Sequence, residues 1–346
     1  MLKVAVVGSS GYAGGELLRI LLGHPEVEVT AVTSEKSAGQ HITSLFPHLG
    51  RVCNLTLEKL EPTAIASKAD VIFLALPHMK AMDAAAQFVG IGKRVIDLSA
   101  DYRFKDVSVY QKWYGEEHNQ PGLAFMSVYG LPELHREEIK RARIVGNPGC
   151  YPTGAILALA PLVKAGLAEP DSIIVDSHSG VSGAGRTPGA MYHFPEANEA
   201  LTAYKVGVHR HTPEIEKELS GLAGKELTVS FTPHLAPMNR GILTTAYAKL
   251  TKEASTEQLA VLYAKFYKKE FFVRVLGPGG YPNVNAVRGS NFCDIGVYSD
   301  PRTGRAVIVS AIDNLVKGAA GQAVQNLNVI MGWDETRGLK NLGMFP

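Results

Sequence analysis

The stretch Lys3-Val4-Ala5-Val6-Val7-Gly8-Ser9-Ser10-Gly11-Tyr12-Ala13-Gly14 decides how this chain folds. Residues 4–7 are apolar without alternation, the pattern of a strand covered on both faces. Glycines at 8, 11 and 14 then allow a tight turn, and Glu16-Leu17-Leu18-Arg19-Ile20-Leu21-Leu22 continues at helical spacing. A strand, a glycine loop and a helix in that order form the setting of a dinucleotide site. Glycines let the backbone approach a pyrophosphate, and the helix amino terminus favours its charge. The spacing departs from the common G-x-G-x-x-G, and a ligand-free turn would read the same way in isolation. Gly8, Ser10, Gly11, Tyr12 and Gly14 are the residues expected to face the cofactor.

Working outward, residues 27–33 alternate like a second strand ending in Thr33-Ser34-Glu35-Lys36. A lone acid there would suit the ribose hydroxyls of NAD, whereas Ser34 and Lys36 suit a 2′-phosphate, so NADP(H) is the expected cofactor. A plain solvated turn is the competing reading. Apolar runs at 71–76, 94–98 and 143–146, with a helical pattern at 81–89, repeat the strand–helix alternation that builds a parallel sheet. Beyond residue 149, strand-like runs at 172–177, 227–233, 241–249 and 306–312 predict an antiparallel sheet with flanking helices. Residues 314–328 read as one amphipathic helix. The predicted architecture is therefore a Rossmann-type α/β nucleotide domain followed by an α+β domain.

Composition narrows the function. Apolar residues make up 46% and charged residues 20% of 346, with a formal charge of +2, ordinary for a globular protein. No basic patch suggests nucleic acid, and no apolar run is long enough for a bilayer. The strand-like amino terminus leaves no room for a signal peptide. Cys53, Cys150 and Cys293 are too few and too scattered for a disulfide framework or a zinc motif. A reducing cytoplasm and no metal are expected.

Cys150 stands apart by its setting. It follows Gly146-Asn147-Pro148-Gly149 and is followed by Tyr151-Pro152-Thr153, a turn into a helix with proline in its first turn. A thiol at the positive end of a helix dipole becomes thiolate more readily, which suits a nucleophile. Buried cysteines are otherwise inert, the reading for Cys53 and Cys293. Histidines are the first candidates to assist the thiol, and His209-Arg210-His211-Thr212-Pro213 places two of them before a helix start. Only one of the two is expected to face the thiol, with the other on a different side. Arg103 and Arg186, both in loops, are candidates for holding an anion, with surface ion pairs as the alternative.

With these residues in view, the block Val145-Gly146-Asn147-Pro148-Gly149-Cys150-Tyr151-Pro152-Thr153-Gly154 resembles the active-site signature of the N-acetyl-gamma-glutamyl-phosphate reductase family. The resemblance extends over essentially the whole chain. It includes Leu98-Ser99-Ala100-Asp101-Tyr102-Arg103-Phe104, Tyr129-Gly130-Leu131-Pro132-Glu133, the His209–His211 block, and Asn314-Leu315-Val316-Lys317-Gly318-Ala319-Ala320. It implies a glyceraldehyde-phosphate-dehydrogenase-like pair of domains, with 1–149 plus 314–346 binding NADP and 150–313 carrying catalysis and oligomerisation. It further implies reduction of N-acetyl-L-glutamyl 5-phosphate to the 5-semialdehyde and inorganic phosphate through a Cys150 thioester, in arginine biosynthesis, by a cytoplasmic dimer or tetramer. Carried over residue by residue, His209 is the acid/base with His211 in reserve or on the substrate, and Arg103 and Arg186 bind substrate. Gly183 and Asn314 join the cofactor side. The alternatives are aspartate-semialdehyde dehydrogenase, a sister reductase of an aminoadipyl phosphate, and a non-catalytic NADP-binding regulator.

Overall fold

The computed structural model describes all residues, Met1–Pro346. Two compact units divide the chain: Met1–Gly149 with Ala319–Lys340, and Cys150–Gly318 with Asn341–Pro346.

The first unit is built on six strands: β1 (Leu2–Val7), β2 (Val27–Val32), β3 (Val71–Leu74), β4 (Arg94–Asp97), β5 (Val128–Tyr129) and β6 (Ile144–Gly146). They are ordered β2-β1-β3-β4-β6-β5 and every pair is parallel. The interior residues of β1, β3, β4 and β6 are buried on both faces, which is why their sequence shows no alternation. From β1 the chain crosses to β2 on one side and later to β3 on the other. The order therefore reverses at the carboxyl end of β1, where open α/β sheets take their ligands. The helix Tyr12–Leu21 starts at that point.

The second unit holds seven strands: β7 (Ile173–Gly180), β8 (Thr202–Ala203), β9 (Val229–Ala236), β10 (Ile242–Lys249), β11 (Val273–Val275), β12 (Cys293–Asp300) and β13 (Arg305–Ile312). Their order is β11-β12-β13-β10-β7-β9-β8. The sheet is mixed rather than antiparallel as predicted, because β7 pairs parallel with β9 and β11 with β12. The helix Thr212–Ala223 lies in the crossover between β7 and β9, a connection that parallel neighbours require. Period-2 patterns reveal strands but not their direction.

The helix Cys150–Lys164 packs on this sheet, and Tyr151 through Val163 are buried. Gly154 lets it approach closely: its carbonyl accepts from Ser310 Oγ at 3.0 Å, and an added Cβ would sit 3.4 Å from that oxygen. Pro161 lies inside the helix and cannot donate to the carbonyl of Leu157. Tyr267 replaces that donor, its hydroxyl reaching Leu157 O at 2.6 Å.

The tail differs from the single amphipathic helix predicted for 314–328. Val316–Ala320 is a π-helical turn and the regular helix covers only Gly321–Ile330, all of it buried. The domain division is also finer than 314–346 returning whole. Residues 314–318 stay with the second unit, where Asn314 bonds the backbone of Gly241. The last six residues do too, as Arg288 donates to Met344 O and Pro346 O.

Candidate active site

The glycine loop is shaped by contacts that exclude side chains. Gly8 has φ +81°, and a Cβ there would lie 2.7 Å from Ala75 O; a Cβ on Gly14 would strike Ser9. Gly11, at the start of the helix, would meet nothing within 4 Å. Its missing side chain serves no internal packing, so the space above it is open to a ligand. Tyr12 follows, 41% exposed. The end of β2 is tied to this loop, since Ser34 Oγ donates to Ser10 Oγ at 3.1 Å and Gly8 N to Thr33 Oγ1 at 3.1 Å. Glu35 turns away, its Oε1 accepting from Leu60 N at 3.1 Å, while Lys36 is exposed. The acid that would suit ribose hydroxyls is thus engaged by backbone.

The turn before Cys150 is fixed from the first unit. Asn147 is fully buried. Its N–H donates to Asp97 O at 2.7 Å, its Nδ2 to Ala319 O at 3.1 Å, and its Oδ1 accepts from Asn326 Nδ2 at 3.0 Å. Arg103 is buried as well, its Nε donating to Asn147 O at 2.7 Å and its guanidinium to Leu98 O at 2.9 Å. The loop carrying it is shaped by Asp101, whose carboxylate accepts from Met79 N, Ala81 N and Tyr110 Oη. Arg103 was expected to bind substrate from a loop. Its Nε and one terminal nitrogen brace the backbone that leads into Cys150.

Cys150 is the first residue of its helix and partly exposed, whereas Cys53 and Cys293 are buried. Gly318 packs against it, and a Cβ there would lie 2.8 Å from Cys150 Cβ. Around the cysteine stand aromatic hydroxyls: Tyr204 Oη donates to Tyr151 Oη at 3.1 Å, and Tyr151 Oη to His234 O at 3.2 Å. Both phenols are held well above their ordinary range. Burial is the largest cause in each, and negative charge on the nearby Cys150 sulfur pushes the same way.

His209 is buried among Tyr151, Tyr204 and Phe231, with ring centroids 5.4–5.6 Å away. Burial, followed by the charges of Lys205 and Arg210, pushes its pKa down to about 4. The two histidines do not point to different sides as expected, and a spacing of two along extended backbone would itself have put them on one face. Their rings are 4.8 Å apart and both contact Tyr151. The segment is a turn rather than an extended strand, with Thr212 N bonded to His209 O and His211 N to His209 Nδ1. His211 stands at the N-cap of Thr212–Ala223, without its side chain capping the helix.

Asn314, assigned to the cofactor, is buried, with Oδ1 accepting from Gly241 N at 2.7 Å and Nδ2 donating to Ser182 Oγ at 3.0 Å. It fixes the Gly241 turn and the loop after β7. Gly183 lies in that loop, 3.5 Å from Asn314 Nδ2 by its notional Cβ, and Arg186 is exposed just beyond it. Sequence reasoning missed Tyr204, Asn147 and Gly318. Only the Asn-Pro-Gly turn gave any signal for one of them.

Comparison with known proteins agrees with this arrangement. Residues 3–142 match the family model "Semialdehyde dehydrogenase, NAD binding domain", and residues 150–314 match "Semialdehyde dehydrogenase, dimerisation domain". Curated proteins named N-acetyl-gamma-glutamyl-phosphate reductase are similar along the entire chain. Those of Geobacter metallireducens and Geobacter sulfurreducens are 58% and 59% identical, and that of Desulforudis audaxviator 52%, each covering 100% of both chains. The chain belongs to the N-acetyl-gamma-glutamyl-phosphate reductase family. Within the wider fold, aspartate semialdehyde dehydrogenase II of Vibrio cholerae superposes with a TM-score of 0.71 at 17% identity, over 96% of this chain and 98% of that one. The aspartate semialdehyde dehydrogenase of Candida albicans, solved with NADP, gives 0.72 at 16% over the same shares. This reductase-family chain is thus an oxidoreductase of the semialdehyde dehydrogenase fold. No helix is long and apolar enough to cross a membrane.

Proposed function

We propose that the protein reduces N-acetyl-L-glutamyl 5-phosphate to N-acetyl-L-glutamate 5-semialdehyde and inorganic phosphate, with NADPH as reductant. The observation that carries this reading is the setting of Cys150, a partly exposed cysteine at the first residue of a buried helix, whose neighbour Tyr151 contacts the rings of His209 and His211. In the cycle, the Cys150 thiolate attacks the acyl carbon, phosphate departs with its bonding electrons, and a thioester remains on Cys150. NADPH bound at Gly8, Ser10, Gly11, Tyr12, Gly14, Ser34 and Lys36 supplies the hydride. The tetrahedral alkoxide on Cys150 then collapses, releasing the aldehyde and restoring the thiolate.

Twice in this sequence, negative charge develops on the former carbonyl oxygen. The Cys150 N–H at the helix start and the Nε2–H of neutral His209 are the donors assigned to it. No step needs a group that titrates near neutrality, which accords with the low pKa of His209. His211 and Arg186 are assigned to the substrate's anionic end. Arginine biosynthesis, a cytoplasmic location and a homo-oligomer belong to the same reading; the relatives' name supports the first and the matched dimerisation domain the last.

The test is phosphate-dependent reduction of NADP with a panel of semialdehydes of different chain length. N-acetyl-glutamate 5-semialdehyde is expected to react fastest, and preference for a longer or carrier-bound aldehyde would overturn the substrate assignment. Iodoacetamide should modify Cys150 faster than Cys53 or Cys293. Equal rates by peptide mapping would remove the activated thiol.

A further inference from the structure

The second sheet carries a group of side chains that the reaction at Cys150 does not use. Asp176 and His178 are two residues apart on β7, and His234 lies opposite His178 in the parallel pairing with β9. A separation of two on one strand and direct register across strands put all three on the same face. Their side chains keep 36%, 31% and 17% of their exposure, so the group is partly open to solvent.

Asp176 Oδ1 lies 3.5 Å from His178 Nε2 and 3.2 Å from His234 Nδ1, and one ligand atom from each residue falls within 4.8 Å of the other two. The imidazoles are stacked, with centroids 4.7 Å apart and planes 24° from parallel. Asp176 Oδ1 and His234 Nδ1 are both shielded from water, yet neither makes a hydrogen bond. A polar atom in that position is costly unless something pairs with it. Two such atoms 3.2 Å apart that do not point at each other are accounted for by a third body between them. In a tetrahedral site with bonds of roughly 2.0–2.1 Å, ligand atoms are roughly 3.3 Å apart, and the ion lies off each line joining them. The two Asp–His separations fit that edge, and the third pair of ligand atoms lies within 4.8 Å.

We infer that Asp176, His178 and His234 form a binding site for one divalent cation of the zinc class, with a solvent molecule in the fourth position. Two imidazoles and a carboxylate suit Zn(II) over magnesium or calcium, which prefer all-oxygen sets. An ion there would cross-link β7 to β9. The loop after β7 and the backbone of His234, which accepts from Tyr151 Oη, would be held with them. The inference stands whether or not the proposed reaction is correct.

The test uses the full chain, stripped of metal and titrated with Zn(II) against a chromophoric chelator. Co(II) substitution reports the ligand set by its visible spectrum. Wild type and Cys150→Ser should each bind one equivalent with equal affinity and no thiolate charge-transfer band. Asp176→Asn, nearly isosteric, should bind at least about tenfold more weakly, as should His178→Gln and His234→Gln. Zn(II) should raise the unfolding midpoint of wild type and leave that of Asp176→Asn unmoved. Absence of stoichiometric binding would overturn the site. So would binding that survives Asp176→Asn but is lost in Cys150→Ser, since the ion would then sit on the catalytic thiol.

Discussion

The backbone N–H of His211 donates to Nδ1 of His209 across 3.1 Å. An imidazole accepting at Nδ1 carries its single proton on Nε2 when neutral, and a pKa of about 4 keeps it neutral in ordinary buffers. His209 is thereby fixed as a hydrogen-bond donor. The same contact explains why the two histidine rings share one side.

Removing that donor should be costly. His209→Ala is expected to slow turnover about 10²–10³-fold, the range for losing one oxyanion donor, and His211→Ala much less. Steady-state kinetics on both variants decide it. A larger loss at His211 would mean the roles are reversed.

The pH dependence follows from the same shift. Burial depresses the folded-state pKa from 6.5 to about 4, so the unfolded chain binds more protons between those values. Stability should therefore be intact above pH 6.5 and fall as pH drops toward 4, by on the order of 3 kcal/mol from this residue. Denaturation of wild type and His209→Phe across that window measures it. The slope should be shallower in the variant, and identical slopes would refute the assignment.

Gly318→Ala should act chiefly through Cys150. The new methyl carbon would approach Cys150 Cβ to 2.8 Å, forcing a displacement of the nucleophile. Displacements near 1 Å can cost about 100-fold in rate. The expected result is a loss of kcat of that order with NADPH affinity unchanged by fluorescence titration. Unaltered kcat would show that the cysteine tolerates the shift.

Cofactor preference should depend on the end of β2. Glu35 is engaged with Leu60 N and Lys36 is exposed, so a 2′-phosphate would meet a cation and no free acid. Lys36→Ala should reduce the NADPH-over-NADH preference by about 1–3 kcal/mol, the size of a charge-assisted hydrogen bond. An unchanged ratio of dissociation constants would move phosphate recognition elsewhere.

Tyr267→Phe tests the repair of the Pro161 interruption. Without the hydroxyl, Leu157 O loses a buried partner, at a cost of about 1–3 kcal/mol. A chemical-denaturation midpoint indistinguishable from wild type would indicate that the carbonyl finds another donor.

The amino-acid sequence determined the elements whose physics is local. Unbroken apolar runs such as 71–74 mark strands buried on both faces, and Gly8 and Gly14 stand where added side chains would strike Ala75 and Ser9. Asn147-Pro148-Gly149-Cys150 likewise announces a turn into a helix. Tertiary structure decided what depends on partners distant in the chain. Arg103 looks free in sequence and is buried because Asn147 O and Leu98 O receive it. Asn314 is occupied by Gly241 and Ser182. Strand direction in the second sheet and the meeting of Asp176, His178 and His234 across β7 and β9 follow the same rule. Each is set by pairing between segments tens of residues apart, where neither periodicity nor spacing along the chain carries the information.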